Sequence, residues 1–365
     1  MKKLIDICDI QYGYAFDSKY FTENSLYPPL VRIRDVKRGY SETYYSGDYP
    51  EEYILAAGDL LVGMDGEFNI ARWKSDGALL NQRVCKLTAK KGTNEEYLRF
   101  AMSKSLKEIE EKTAFVTVKH LSAKELSRLK IYVPELSKQN KIAGILSCIE
   151  RIINVRRQEI EKFDELIKAR FVELFSGVED EDKLINLCTF IDYRGKTPEK
   201  AESGLPFITA KNVKMHHMSF ETQEFISKET YDKVMTRGFP RIGDVVFTTE
   251  APLGNVCRIP FIETEFYIGQ RIITMQTKLL EPAYLEYALS SDYFKRKIVA
   301  KSSGSTVTGI RSKLLEQLTI PVPPRALQKQ FAAFIVQIDK SKVAVQKSLD
   351  KTQQLFDSLM QKYFG

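Results

Sequence analysis

Lys3-Leu-Ile-Asp-Ile-Cys8 returns as Lys183-Leu-Ile-Asn-Leu-Cys188. The return is not isolated. Ala57-Gly-Asp-Leu-Leu-Val62 reappears as Ile242-Gly-Asp-Val-Val-Phe247, and Asn81-Gln-Arg-Val84 as Gly269-Gln-Arg-Ile272. Ile131-Tyr-Val-Pro134 reappears as Ile320-Pro-Val-Pro323, each followed by a glutamine, Gln139 and Gln328. The offset between Pro134 and Pro323 is 189 residues. Leu174-Phe175-Ser-Gly177 has its counterpart in Tyr363-Phe364-Gly365, so the second copy is expected to stop where the chain stops. Two copies of one plan predict a pseudo-two-fold object, suited to a target with two related halves.

Each copy reads as a strand-rich domain followed by a long helix. Residues 1–134 and 183–322 carry short apolar runs, such as Leu30-Val-Arg-Ile-Arg34, Leu60-Leu-Val62 and Val245-Val-Phe-Thr248, between Gly, Asp, Asn and Pro punctuation. One helix is expected inside each domain, over 95–111 and 282–300. Residues 135–177 and 323–365 form the spacers. Their apolar positions step by four and three: Ile142, Leu146, Ile149, Ile153, Ile160, Phe163 and Ile167 in one, and Phe331, Ile335, Ile338, Val345, Leu349, Phe356 and Leu359 in the other. That 3.5-residue period is the signature of a coiled coil. A helix of ~40 residues is a rod of ~60 Å and needs cover for its stripe. A two-fold relation makes the two helices an antiparallel pair; the alternative is that each lies on its own domain. Arg156 and Arg170 interrupt one seam, Lys342 and Thr352 the other, and such polar positions can set register. The fold class is therefore α+β, with two repeated recognition-type domains separated by antiparallel coiled-coil helices.

Composition narrows the function without naming it. The chain has 365 residues, is 43% hydrophobic and 28% charged, and carries a net charge of +7 from 55 Lys+Arg against 48 Asp+Glu. That excess permits a polyanionic partner and does not require one. Five scattered cysteines, none in a C-x-x-C, fit a reduced, cytoplasmic setting. No run of eighteen apolar residues is present, and Asp6 breaks the only apolar stretch near the start, so neither a membrane span nor a signal peptide is expected.

Catalytic patterns fail on inspection. Gly304-Ser-Thr-Val-Thr-Gly309 has phosphate-loop spacing, but Ile310-Arg311 stands where Lys-Ser/Thr is needed. Tyr27-Pro-Pro-Leu30 lacks the leading Asn or Asp of an amino-methyltransferase motif. His216 and His217 are adjacent, and neighbours on a strand point apart, which argues against a shared metal. No catalytic residue, metal site or resident cofactor is nominated.

What remains is a set of polar and basic loop residues in both domains. The first offers Tyr12, Tyr14, Arg32, Arg34, Lys37, Arg38, Gln82, Arg83, Lys119 and His120. The second offers Arg194, Lys196, Thr197, Lys211, Asn212, Thr248, Thr249, Gln270, Arg271, Lys301, Ser303, Ser305 and Thr306. Arg and Lys suit phosphate or guanine, Asn and Gln suit adenine; taken singly, each also reads as an ordinary solvated loop residue. The repeat keeps Gly-Asp and Gln-Arg while the loops between them diverge. Two readers of two different short sequences would need that combination.

In this order, duplicated, the motifs resemble the specificity (S) subunit of type I restriction–modification systems over the whole length. The resemblance rests on Gly13-Tyr-Ala-Phe16 with Leu30-Val-Arg-Ile-Arg-Asp-Val36, on Gly195-Lys-Thr-Pro198 with Ile208-Thr-Ala-Lys-Asn-Val213, and on the paired Gly-Asp, Gln-Arg and Pro-to-Gln motifs. It implies two target-recognition domains, each reading half of a bipartite double-stranded DNA site. The helices would set the gap and dock two methyltransferase (M) subunits, with restriction (R) subunits beyond. S-adenosylmethionine, ATP and Mg would belong to those partners. Two rival readings are a methyltransferase or nuclease with its own recognition domains, and an adaptor that binds protein. S-adenosylmethionine binding by the chain alone separates the first, and salt-dependent duplex binding the second.

Overall fold

The computed structural model describes residues 1–66, 68–112, 120–193, 195, 197–269, 271–277, 279–301 and 309–365. Its contacts divide the chain into two compact units. One is Met1–Gln158 with Gln346–Gly365, the other Glu159–Val345.

Each unit is built on a four-stranded antiparallel sheet of the same connectivity. In the first the order is Cys8–Tyr12, Val84–Ala89, Leu60–Gly63, Asn69–Arg72; in the second it is Cys188–Asp192, Ile272–Thr277, Val245–Thr248, Val256–Arg258. The repeated Gly-Asp closes the open end of the same hairpin in both. Gly58 and Gly243 sit at φ +97° and +87°, where a Cβ would be strained. The Asp59 and Asp244 carboxylates accept the N–H of Ala56 and Arg241 at 2.9 and 2.7 Å. Their carbonyls accept Trp73 and Ile259 N–H, both at 2.8 Å, from the returning strand. This motif is therefore a turn, not a contact surface.

A two-stranded clip closes each domain and feeds the long helix. Lys2–Lys3 pairs with Lys130–Ile131, and Glu181–Lys183 with Thr319–Pro321. The helices then run over Leu136–Phe175 and Arg325–Phe364. The glutamine after each proline locks this junction. Gln139 is fully buried; it accepts Asn94 N–H at 2.9 Å and donates to the Pro134 and Gly92 carbonyls at 2.8 and 3.1 Å. Gln328 accepts Glu281 N–H at 2.9 Å and donates to the Pro323 carbonyl at 2.8 Å. Asn94 and Glu281 stand at the starts of the helices Glu95–Lys112 and Pro282–Ser290. One buried amide thus ties the start of each long helix to the start of a domain helix.

Within each unit the long-helix segments run in opposite directions. In the first, Ile142 and Leu146 share a core with Phe356, Leu359 and Tyr363, while Arg157 Nη2 lies 3.4 Å from Gln353. In the second, Lys342 pairs with Asp164, and Phe331 packs edge-on against Phe175 at 5.5 Å. Ile142, Leu146, Ile149, Ile153, Ile167, Phe331, Ile335, Ile338 and Leu349 are buried; Ile160, Phe163, Val345, Phe356 and Leu359 are half-buried. The two alternatives for covering the stripe are both realised. The same seam packs on the partner helix and on the domain, as Leu146 does against the core holding Leu4 and Tyr97. Phe171 and Phe175 lie outside the expected seam because the end of the first helix leaves heptad packing to join Tyr284 and Phe331.

Charged bridges fasten each domain to its helix. Arg99 meets Glu96 at 2.8 Å and Glu150 of the long helix at 2.5–3.0 Å. At the equivalent place in the second unit, Glu286, 1% exposed, takes Arg258 at 2.6 Å and His216 at 2.9 Å, and Arg258 reaches Asp339. Glu286 is the buried member, so removing Arg258 leaves its charge poorly compensated, at up to about 3–5 kcal/mol; Glu150 and Asp339 are partly exposed and their bridges contribute less.

Two expectations are corrected. Leu30-Val-Arg-Ile-Arg34 is not one strand: pairing stops at Val31, and Ile33–Arg38 is a short helix. Asp35, 1% exposed, accepts Arg32 N–H at 2.9 Å and so starts that helix. The helix expected over 282–300 is two helices, Pro282–Ser290 and Asp292–Lys301. Ser291 is extended between them, and its hydroxyl accepts Phe294 N–H at 3.2 Å.

Candidate nucleic-acid interface

The segment around Arg34 has a structural equal in the second unit. Asp35 and Asn212 are both buried, and each accepts the N–H of the residue three before it, Arg32 and Thr209, at 2.9 Å. The residue preceding each buried cap, Arg34 or Lys211, is thereby turned out to solvent. Arg34 lies 3.7 Å from the Asp35 carboxylate. Arg32, Lys37 and Arg38 are exposed on or beside the same short helix, and Arg38 approaches Glu42 at 3.9 Å.

The Gln-Arg motif stands beside the return of the central strands. Gln82 is exposed, and its N–H is held by Tyr14 O at 2.8 Å and by Asn81 Oδ1 at 2.9 Å. Arg83 has φ +67° and pairs through Nη1 with Asp65, which also meets His120 Nδ1. Burial pushes the Asp65 carboxyl up, yet the bonds from His120 and Arg83 outweigh it and hold it below its ordinary value. In the second unit Arg271 Nε meets Glu250 at 3.0 Å. Asp65 and Glu250 are absent from the expected site. Aligning the residues just after the two Gly-Asp strands would have found them.

Three expected DNA-facing groups are internal instead. Thr248, Thr249 and Asn212 are 0%, 2% and 4% exposed. Thr248 Oγ1 accepts Asn255 N–H at 2.9 Å, and the Asn212 amide donates to the Ser219 and Thr222 carbonyls at 3.0 and 2.7 Å. Polar type alone does not separate a loop that reads from a loop that closes on itself. Tyr12 is partly exposed, with its hydroxyl donating to the Ala123 carbonyl at 3.2 Å. Tyr14 rests edge-on against Phe16 at 5.1 Å. Thr197 and Lys301 are exposed. Lys119, Arg194, Lys196, Gln270, Ser303, Ser305 and Thr306 lie outside the described residues.

His216 and His217 are engaged by different partners. His216, at φ +64°, stacks on Tyr287 at 4.2 Å, while His217 Nδ1 lies 3.2 Å from the Met215 carbonyl. Among the described residues no group of three or more His, Cys, Asp or Glu converges to hold a metal, and no helix is long and apolar enough to cross a membrane.

Known proteins share this arrangement. The family model described as type I restriction modification DNA specificity domain matches residues 1–162 and again 183–355. The type I restriction enzyme EcoBI specificity subunit of Escherichia coli is 27% identical over 398 residues, covering 98% of this chain and 84% of that protein. The MjaVIII specificity subunit of Methanocaldococcus jannaschii is 24% identical, covering 84% of this chain and 79% of that one. A crystal structure of a type I restriction-modification S subunit from M. genitalium superposes with a TM-score of 0.60 at 16% identity, over 100% of this chain and 95% of that one. A second structure, from work on assembly and conformational transition of the type I R-M system, gives 0.58 at 18% identity, over 100% and 96%. With the family model matching both copies, the chain belongs to the type I restriction–modification DNA specificity family.

Proposed function

We propose that this chain is the DNA-reading subunit of a type I restriction–modification complex, with each domain reading one half of a bipartite duplex site. The observation that carries the reading is one sheet scaffold built twice, with the same turn and the same helix lock, bearing different loops. Arg34 and Lys211 are the base-reading candidates. They occupy equivalent exposed positions but differ in chemistry: Arg presents a fork that fits guanine, Lys a point charge.

The long helices set the gap between half-sites and dock two M subunits. Support comes from their outward faces, where Ile152, Val155 and Leu355 in the first unit, and Leu166, Val172, Val336 and Val343 in the second, are exposed apolar side chains on otherwise charged helices. R subunits bind beyond the M subunits. S-adenosylmethionine, ATP and Mg are held by the partners, and the chain contributes address rather than chemistry.

The test is an exchange. Residues 183–322 are replaced by the equivalent block of a relative, the complex is assembled with its M subunit, and modified bases are mapped. One half-site should change, with the other half and the gap unaltered. A change in both halves sinks the modular reading.

A further inference from the structure

Both units carry one polar device. In the first, an arginine follows a glutamine and pairs with an acid, Arg83 with Asp65; in the second, Arg271 pairs with Glu250 at 3.0 Å. Matching backbone hydrogen bonds surround each pair. Met64 N–H donates to the Arg83 carbonyl at 2.9 Å, and Thr249 N–H to the Arg271 carbonyl at 2.9 Å. The next segment returns the bond: Leu121 N–H to the Met64 carbonyl at 2.7 Å, and Ile310 N–H to the Thr249 carbonyl at 3.0 Å. Asp65 bridges His120 and Glu250 bridges Gly309 in matching isolated β-bridges. The acid differs in length between the units, the neighbouring residues differ in kind and the guanidinium atom engaged differs, but the pairing of the arginine with an acid one residue past the same backbone bond is kept.

Folding gives a full reason in one unit only. The Arg83 and Arg271 side chains are 60% and 58% exposed; the Arg271–Glu250 pair, exposed on both sides, contributes only about 0–1 kcal/mol, whereas Asp65 is 8% exposed and Arg83 shares with His120 the offset of its buried charge. The chemistry of the arginines gives a reason common to both. Each ion pair occupies one guanidinium nitrogen, Nη1 of Arg83 and Nε of Arg271. An arginine has five N–H donors, and among the described residues no other partner takes the rest, so each fork keeps a two-nitrogen edge that matches an anionic oxygen pair. The acid also holds the side chain near one rotamer before any ligand arrives, which lowers the ordering cost of binding.

Repetition also decides what the anion is. Two domains that read different sequences cannot share their base contacts, but they can share contacts to the phosphate chain, which carries no sequence information. We propose that Arg83 and Arg271 are matched phosphate clamps, one per recognition domain, each held on a carboxylate and gripping a phosphodiester beside its half-site. The inference rests on the DNA-reading function proposed above and adds a division of labour to it. The Arg-acid devices position the duplex, and the positions where the units differ read it.

The experiment uses the full chain assembled with its M subunit. Binding is measured on a duplex carrying the mapped site and on a scrambled duplex, over a range of potassium chloride concentrations. The slope of log K against log salt for the wild type counts the phosphates neutralised. Arg83→Gln and Arg271→Gln should each reduce that slope by about one. Each should weaken both duplexes by the same factor and leave the modified sequence unaltered. Arg83→Lys and Arg271→Lys should restore the slope, because they keep the charge. An unaltered slope in the Gln variants overturns the proposal. So does relaxation of a single base position, which would make the arginine a base reader. So does unfolding of the Gln variants rescued by Lys without recovery of the slope, which would make the pair structural. Failure of the wild-type complex to bind duplex DNA in a salt-dependent way is a different result: it removes the DNA-reading function itself, and the clamps with it.

Discussion

Truncating Gln139 to alanine tests whether the repeated Pro-to-Gln motif is a structural lock. The side chain is 0% exposed and makes the three bonds to Asn94 N–H, Pro134 O and Gly92 O. Each such bond contributes about 1 kcal/mol net, and a buried donor left without an acceptor costs about 1–3 kcal/mol. Asn94 N–H is the group at risk. Its own Oδ1 caps the domain helix by accepting Tyr97 N–H at 2.8 Å, so it cannot turn away to water without giving up the cap. We expect Gln139→Ala to destabilise the first unit by about 2–4 kcal/mol. For a unit of this size that lowers the midpoint by about 2–4 °C per kcal/mol. Gln328→Ala removes two bonds, to Glu281 N–H and Pro323 O, and should cost somewhat less in the second unit. A chain of two units need not unfold in one step, so the assay is amide hydrogen exchange read residue by residue. Protection should fall at Asn94 and along the start of the 95–112 helix in one variant, and at Glu281 in the other. A loss below about 0.5 kcal/mol, within the range of an ordinary surface change, would refute the lock. So would a loss of protection confined to the wrong unit.

Two further outcomes follow from the backbone and from the acid beneath Arg83. A Cβ at Gly13 would lie 2.0 Å from the Asn81 carbonyl oxygen, so Gly13→Ala should prevent the first unit from closing; a Cβ at Gly243 meets nothing within 4 Å, so Gly243→Ala should cost only the positive-φ strain of about 1–2 kcal/mol, and equal urea midpoints for the two variants would contradict both accounts. The Asp65 carboxyl is held below its ordinary value of 3.8, so its stabilising share is complete above that value and is lost as pH falls through the lower folded value. The stability difference between wild type and Asp65→Asn should hold from neutral pH down to about pH 3.8 and shrink only below it, whereas a difference that vanishes at higher pH would show that the carboxylate is not stabilised by His120 and Arg83.

Most of the architecture was legible in the sequence because it is carried by period and repetition. The seams from Ile142 and from Phe331 follow helical geometry, and the paired motifs fix where each domain opens and closes. Local chemistry was less legible. Ile33 looks like a strand residue until Asp35 is seen to cap the turn that starts a helix. Ser291 reads as one polar residue in a helix until its hydroxyl is seen to begin the next one. Thr248, Thr249 and Asn212 have the composition of a reading loop, but they spend their hydrogen bonds inside the domain. In each case a side-chain-to-backbone bond, which has no periodicity, overrode the pattern.

The internal repeat offers a sharper filter than composition for separating scaffold from reader. A residue that is the same in both units and turned inward closes the backbone, as the half-buried Asp59 and Asp244, or the buried Gln139 and Gln328, do. A residue that is the same and exposed cannot distinguish two half-sites, which places Arg83 and Arg271 on the side of positioning. Only a position that is equivalent, exposed and different in chemistry can give the two domains different addresses. Arg34 and Lys211 meet that condition on matching buried caps, Asp35 and Asn212. The caps explain why the frame survives such a difference. The carboxylate or amide oxygen fixes the backbone from beneath, so the residue above it is free to vary without cost to the fold.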